Sequence, residues 1–171
     1  MKETESLTPA LLGTAYHSVL QYLDFGSVSC DNIEEVLDSF VKKSVITESE
    51  RKAVDVSVIK KFINSDLFGS IKDADKVYKE YSFVLPFDSS AFFENTQEEI
   101  MVQGIIDCLY IKDENIYLVD YKSDSYASSA DIADRYRTQI MMYSEAIEKK
   151  FGKKPISSVL YMLKTGEIIS L

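Results

Sequence analysis

Apolar positions change their spacing near residue 76. Before that point they recur at helical intervals. Leu12, Tyr16, Val19, Leu20 and Leu23 form one stripe. Thr8 followed by Pro9 predicts where that helix starts, with Thr as the N-cap and Pro at the first helical position. Gly13, His17 and Gln21 run beside the stripe. A glycine inside a helix costs about 1 kcal/mol against alanine, so Gly13 predicts close approach by another group. Ile33, Val36, Leu37, Phe40 and Val41 predict a second helix, capped by Asp31. Thr47-Glu48-Ser49-Glu50 starts a third, which Val54, Val58, Ile59, Phe62 and Ile63 continue. Residues 1–8 read as a loose leader.

After residue 76 the period shortens to two. Tyr78, Glu80, Ser82 and Val84 alternate with Val77, Lys79, Tyr81, Phe83 and Leu85, which predicts a strand ended by Pro86. A loop follows over 86–96, carrying Phe92-Phe93. Ile105–Ile111 and Ile116–Val119 are apolar runs about the polar turn Lys112-Asp113-Glu114-Asn115, which predicts a hairpin. Ser128-Ser129-Ala130-Asp131 has capping-box spacing and opens a helix to about Lys150, stopped by Phe151-Gly152 and Pro155. Residues 157–163 predict another strand, and Ile168-Ile169 a short edge. Helices, three strands, a helix and one or two strands make a central mixed β-sheet flanked by helices, with an N-terminal helical segment.

Composition narrows the classes. At 171 residues the chain is expected to be one domain: 1–76 a mainly helical lead-in carrying His17, and 77–171 the core. Apolar residues make up 46% and charged residues 27%, ordinary for a globular protein. No apolar run approaches the roughly 20 residues that span a bilayer. The polar start Met-Lys-Glu-Thr-Glu-Ser is not a signal peptide. Cys30 and Cys108 are too few for a disulfide framework or a four-cysteine cluster, so a reducing, cytoplasmic setting is expected and a membrane partner is not. The net charge of −9 argues against a domain that grips nucleic acid mainly through a basic surface. It leaves room for an enzyme that meets DNA through metals. Only Arg51, Arg135 and Arg137 can form the bidentate phosphate fork.

The candidate chemistry lies in the hairpin. Burying a lone carboxylate is costly, yet Asp107 and Asp120 each sit in an apolar strand. In a hairpin they can fall side by side on one face, and Lys122, two residues after Asp120, shares that face by strand alternation. Two carboxylates and an ammonium at a strand end suit a hard divalent cation. As bare spacing, Asp120 and Lys122 could equally be a surface ion pair, which contributes little.

Gly104-Ile-Ile-Asp107, then Asp120-Tyr121-Lys122-Ser123-Asp124, then Gln139-x-x-x-Tyr143 on the following helix resemble the PD-(D/E)XK nuclease superfamily. Within its RecB-type branch the chain is similar to the C-terminal nuclease domain of AddA-type ATP-dependent helicase–nucleases. Leu12-Gly13-Thr14-Ala15-Tyr16-His17 resembles the histidine segment that begins such domains. The likeness runs from about Leu11 to Leu171. Ser123 stands where the family usually has Thr, which keeps the hydroxyl.

The resemblance implies a restriction-endonuclease-like α/β core and a Mg2+-dependent DNA nuclease, an exonuclease module of an AddAB/RecBCD-type helicase–nuclease in double-strand break repair and recombination. Mn2+ could substitute. It implies that Asp107, Asp120, Lys122 and Glu80 are catalytic, and that His17, Asp107, Asp120 and the Tyr121 backbone carbonyl hold the metal. Glu80 would reach the metal through water. Gln139 and Tyr143 would flank the site and touch DNA or Lys122. Implied partners are DNA, a helicase part of the same polypeptide and an AddB-like partner protein. No phosphate-loop motif Gly-x-x-x-x-Gly-Lys-Ser/Thr is present, so ATP use is not credited to this chain. No iron–sulfur cluster is expected. The alternatives are a free-standing or phage-type exonuclease of the same superfamily, or a non-catalytic DNA-binding or docking module of that fold.

Overall fold

The computed structural model describes residues 8–91 and 98–171. Its contacts divide into two compact units. The leader and the Phe92-Phe93 loop lie outside the described residues.

The first unit takes the chain up to Asp73, together with Tyr121–Ser123 and Met162–Glu167. Among the described residues, five helices build it. α1 (Pro9–Tyr22) begins as its sequence predicts, with Thr8 Oγ1 accepting the Leu11 N–H. α2 (Ile33–Lys42) is preceded by Asn32 rather than by a capping Asp31. Asn32 spends its side chain on the turn before the helix, accepting from the Ser29 N–H and donating to the Ser27 carbonyl. α3 (Glu48–Ala53) has the complete Thr47/Glu50 capping box.

The continuous helix expected onward to Ile63 is broken at Val54-Asp55. Asp55 caps a new helix, α4 (Val56–Ile63), by accepting the Ser57 N–H. Its own N–H meets the Tyr16 hydroxyl of α1 at 3.1 Å. That tertiary hydrogen bond and the local cap outweigh the continuing apolar period. α5 (Asp66–Lys72) is capped by Ser65. Phe25, Phe62 and Phe68 meet edge to face at 5.3–6.1 Å, and Tyr121 joins Phe62 at 5.4 Å.

The second unit comprises Ala74–Asp120, Asp124–Tyr161 and Ile168–Leu171. It carries most of a five-stranded sheet of order β1-β2-β3-β4-β5: β1 Lys76–Asp88, β2 Glu99–Lys112, β3 Asn115–Lys122, β4 Ser157–Met162, β5 Ile168–Ser170. β1–β2, β2–β3 and β4–β5 pair antiparallel. The bonds Ile156 N–H to Ile116 O and Leu163 N–H to Lys122 O advance in the same sense along β3 and β4, so that pair is parallel and the sheet is mixed. The crossover is α6 (Ser129–Phe151), capped by Ser128 and stopped at Gly152, whose φ of 78° only glycine adopts freely. Among the described residues, no helix is long and apolar enough to cross a membrane.

β1 does not stop at Pro86. Pro86 pairs opposite Met101 inside the strand. β1 is the edge strand, where a residue without an N–H leaves no ladder bond unmade. Its carbonyl accepts from the Lys149 ammonium of α6.

The hairpin turn between β2 and β3 places Asp113 and Glu114 at φ of 49° and 61°, left-handed at both central positions. Asp113 suits the first of these positions, but Glu114 stands where the turn prefers glycine. The Asp113 N–H donates to Asp75 Oδ2 at 3.0 Å, and the Lys153 ammonium donates to the Glu114 carbonyl. Both bonds hold the turn through its backbone. Glu114→Gly is therefore expected to raise stability by about 0.5–1 kcal/mol, read as a higher urea midpoint with an unchanged slope. A lower midpoint would show that the Glu114 side chain carries the turn.

Candidate metal centre

Register places the first two acids together. Lys79 pairs with Cys108 and Tyr81 with Ile106, which leaves one residue on each strand between them: Glu80 faces Asp107. Carboxylate oxygens of the two lie within 4.8 Å. On the other side of β2, Cys108 pairs with Val119, and the same register one step on brings Asp107 level with Asp120. The side-by-side placement expected of the hairpin acids is what this pairing produces. Asp120 is 1% exposed, whereas Asp107 and Glu80 are partly buried.

Glu80 has a φ of 50°, inside a strand and in a non-glycine residue. Backbone of this kind costs of order 1–3 kcal/mol and persists only where neighbours enforce it. The neighbours here are aromatic. Tyr78 and Tyr81, three apart, belong on opposite faces of a regular strand. Both instead reach Phe151 of α6, at 5.7 Å each, and each other at 5.7 Å. The left-handed residue between them absorbs the change of face. Simple alternation in the sequence carries no sign of this.

Tyr143 of α6 marks where the acids converge. Burial pushes its hydroxyl pKa well up, and the charges of Asp120 and Asp107 push it further, with a smaller contribution from Glu80. The Gln139 amide donates to that hydroxyl at 3.1 Å and acts in the opposite direction. Tyr143 thus stays neutral, with its own proton to donate. Its ring stands edge-on to Phe83 at 5.9 Å. Gly104 makes this possible: a Cβ there would lie 2.6 Å from Phe83 Cζ and 3.2 Å from Tyr143 Cε1. A lone glycine in an apolar strand is the sequence signal for such an approach.

In the helical unit, His17 lies edge-on to Tyr121, ring centroids 6.4 Å apart. One turn earlier, a Cβ on Gly13 would come within 2.9 Å of Ser123 Oγ. The close approach that Gly13 predicts is by Ser123, just beyond the Asp120-Tyr121-Lys122 run. Lys122, the last residue of β3, receives the Leu163 N–H on its carbonyl.

Asp124 is a tether. It accepts from the Tyr136 hydroxyl at 3.0 Å, and Arg135 approaches it at 3.9 Å. Burial, then that hydrogen bond, push the Tyr136 pKa up to about 12. Arg137 bonds Asp134 at 2.7 Å on the surface.

The donor set can be tested against a metal. Glu80, Asp107 and Asp120 present only oxygen, which suits Mg2+, Mn2+ or Ca2+ rather than soft ions. Tyr143 senses all three as charges while Asp120 is buried. Gathered like charges of this kind are costly unless a cation balances them. The residues fit a hard divalent cation.

The mixed sheet and its gathered acids are of the kind a nuclease fold carries, and residues 1–169 match the PD-(D/E)XK nuclease superfamily. The chain belongs to that superfamily. It is similar to an ATP-dependent helicase/nuclease subunit of Clostridium kluyveri, 34% identical over 178 residues, covering 100% of this chain and 14% of that protein. The same-named protein of Clostridium acetobutylicum is 33% identical over 183 residues, and that of Alkaliphilus metalliredigens 36% over 174, covering 100% and 98% of this chain. The chain spans only 14% of the length of each.

Proposed function

We propose that this chain is a Mg2+-dependent deoxyribonuclease, one PD-(D/E)XK nuclease domain over residues 1–171, serving as the exonuclease module of an AddA-like helicase–nuclease in the repair of double-strand breaks. The observation that carries this reading is the meeting of Glu80, Asp107 and Asp120 beneath the neutral Tyr143 hydroxyl, with Lys122 two residues beyond Asp120 on the same strand.

Asp107 and Asp120 would hold the cation with the Tyr121 carbonyl, and His17, packed on Tyr121, would be a further ligand. When bound, the cation would supply charge neutralisation at the scissile phosphate and a lowered pKa for the attacking water. Mn2+ has the same donor preference and should substitute. Lys122 would hold that water and stabilise the negative charge that develops on the phosphate oxygens. Glu80 would reach the cation through a water. Gln139 donates to the Tyr143 hydroxyl, which keeps its own proton and would donate it to a phosphate oxygen or to water near the carboxylates. A helicase part and an AddB-like partner protein would deliver the DNA, which accommodates a net charge of −9 in an enzyme acting on a polyanion. The setting would be cytoplasmic.

The test is cleavage of end-labelled DNA by the purified chain with Mg2+ or Mn2+, alone and rejoined to a helicase part. Lys122→Ala should cost about 10²–10⁴-fold in rate, the range for losing one group that stabilises transition-state charge or moves its proton. A chain that binds Mg2+ and never cuts in either setting sinks the reading. Full activity in Lys122→Ala would move the site elsewhere.

A further inference from the structure

The three arginines of this chain are not equally committed. Arg51 of α3 is spent on α2, at 2.6 Å from Glu34 and 2.9 Å from Asp38. Arg137 is tied to Asp134 at 2.7 Å. Arg135 approaches Asp124 only to 3.9 Å, beyond hydrogen-bond reach, and its side chain is 50% exposed. Asp124 gives its other oxygen to the Tyr136 hydroxyl at 3.0 Å. The carboxylate therefore draws the guanidinium toward it without filling the fork. Among the described residues, no hydrogen bond occupies the Arg135 donors.

Its place on α6 gives that open fork a direction. Arg135, Gln139 and Tyr143 follow one another at intervals of four, so they form one ridge of the helix. At one end of the ridge the Tyr143 hydroxyl, which accepts from the Gln139 amide at 3.1 Å, feels the charges of Asp120 and Asp107. Arg135 stands about 12 Å from that end, two turns nearer the start of the helix. The Tyr136 hydroxyl beside it feels the charges of both Arg135 and Asp120. All of these groups belong to the second compact unit. A guanidinium matches the paired oxygens of a phosphate, and binds them with two parallel N–H···O bonds. We propose that Arg135 binds a backbone phosphate of the DNA strand, next along from the one being cut, and so holds the strand along α6. This rests on the nuclease reading above, and it adds a contact that the gathered acids do not supply. A phosphate contact fixes register without reading bases, so it is independent of sequence.

The test is steady-state cleavage of end-labelled single strands with Mg2+ across a KCl series, in whichever setting the unsubstituted chain cuts, alone or rejoined to a helicase part. Arg135→Gln should raise KM roughly three- to tenfold for any sequence and leave kcat within about twofold. The slope of log KM against log[salt] should fall by about 0.7, the value for one phosphate contact on a single strand. Its melting temperature should hold, because the bond from Tyr136 to Asp124 remains. Arg135→Lys keeps the charge and so the slope, but it loses the fork, and KM should stay raised roughly two- to fivefold. Arg137→Gln, two residues on and already paired with Asp134, should match the parent in KM and slope.

An unchanged KM and slope in Arg135→Gln, with the unsubstituted chain cutting DNA, overturns the contact and leaves the nuclease reading standing. Equal losses in Arg137→Gln would reveal a general effect of surface charge and also overturn it. Parent-like KM in Arg135→Lys rules out the bidentate fork. A melting temperature that falls in Arg135→Gln while the slope holds assigns Arg135 to the fold alone. If the unsubstituted chain cuts in neither setting, the nuclease reading fails and the contact falls with it.

Discussion

Asp120→Asn should abolish DNA cleavage and stabilise the metal-free protein. The substitution keeps the shape of a side chain that is 1% exposed and removes its charge. In its proposed role of holding the metal, Asp120 would supply several kcal/mol of transition-state stabilisation, and losing about 4 kcal/mol is a rate loss of ~10³-fold. Stability moves the other way. Asp120, Asp107 and Glu80 all act as charges on one tyrosine hydroxyl, and keeping the charge of Asp120 buried is costly. A neutral residue of equal volume removes the cost of burying that charge, here about 1–2 kcal/mol, or roughly 2–8 °C in a chain of this size. Mg2+ should raise the melting temperature of the parent, because it binds the folded state only, and leave the variant unmoved. Calorimetry with and without Mg2+, beside an end-labelled cleavage assay, reads all three effects. A variant that still cuts, or one that melts lower without metal, would show that Asp120 is held for another reason.

Gly104→Ala should lower both stability and activity, although alanine is ordinarily the better-behaved residue. Its Cβ would lie 2.6 Å and 2.7 Å from Phe83 Cζ and Cε1. Phe83 cannot swing aside cheaply. It is 3% exposed, wedged between Tyr143 at 5.9 Å and Phe87 at 6.5 Å. Overpacking of this kind costs about 1–3 kcal/mol, or roughly 2–12 °C at this chain length. The strain passes to Tyr143, whose hydroxyl the Gln139 amide and the ring contacts hold over the acids. Cleavage should fall about tenfold or more, since small misplacements are costly at a reacting centre. Phe83→Leu, which clears the ring, should restore part of the stability of Gly104→Ala in a double-mutant cycle. Additive losses would mean that the two residues do not meet as described.

Local signals along the chain were strong wherever the deciding atoms are close in sequence. Thr8-Pro9, the Thr47/Glu50 box, Ser128 and Gly152 begin or end helices because a side chain or a left-handed residue satisfies backbone groups within one turn. They misled where a distant partner intervened. Asp31 yields the position before α2 to Asn32, which ties up the preceding turn. The helix expected through Val54 is cut where Asp55 meets Tyr16, 39 residues away. Pro86 remains inside β1 only because β1 lies at the edge of the sheet, a matter of topology.

The site divides along the same line. Asp107, Asp120 and Lys122 were legible because alternation and a two-residue turn are short-range rules, and because acids in apolar strands are conspicuous. Glu80 was visible as an acid, but nothing local announces its φ of 50°. That angle is imposed when Tyr78 and Tyr81 both pack on Phe151, some seventy residues downstream. Gly13 and Gly104 signalled that something comes close, without saying what. Ser123 and Phe83 with Tyr143 are the answers, and both require the folded chain. The sequence by itself determined which residues could bear the chemistry and the order of the elements that carry them. Only the tertiary structure decided which of those groups share a space, because charge repulsion, ring packing and close backbone approach act between atoms that the chain brings together from far apart.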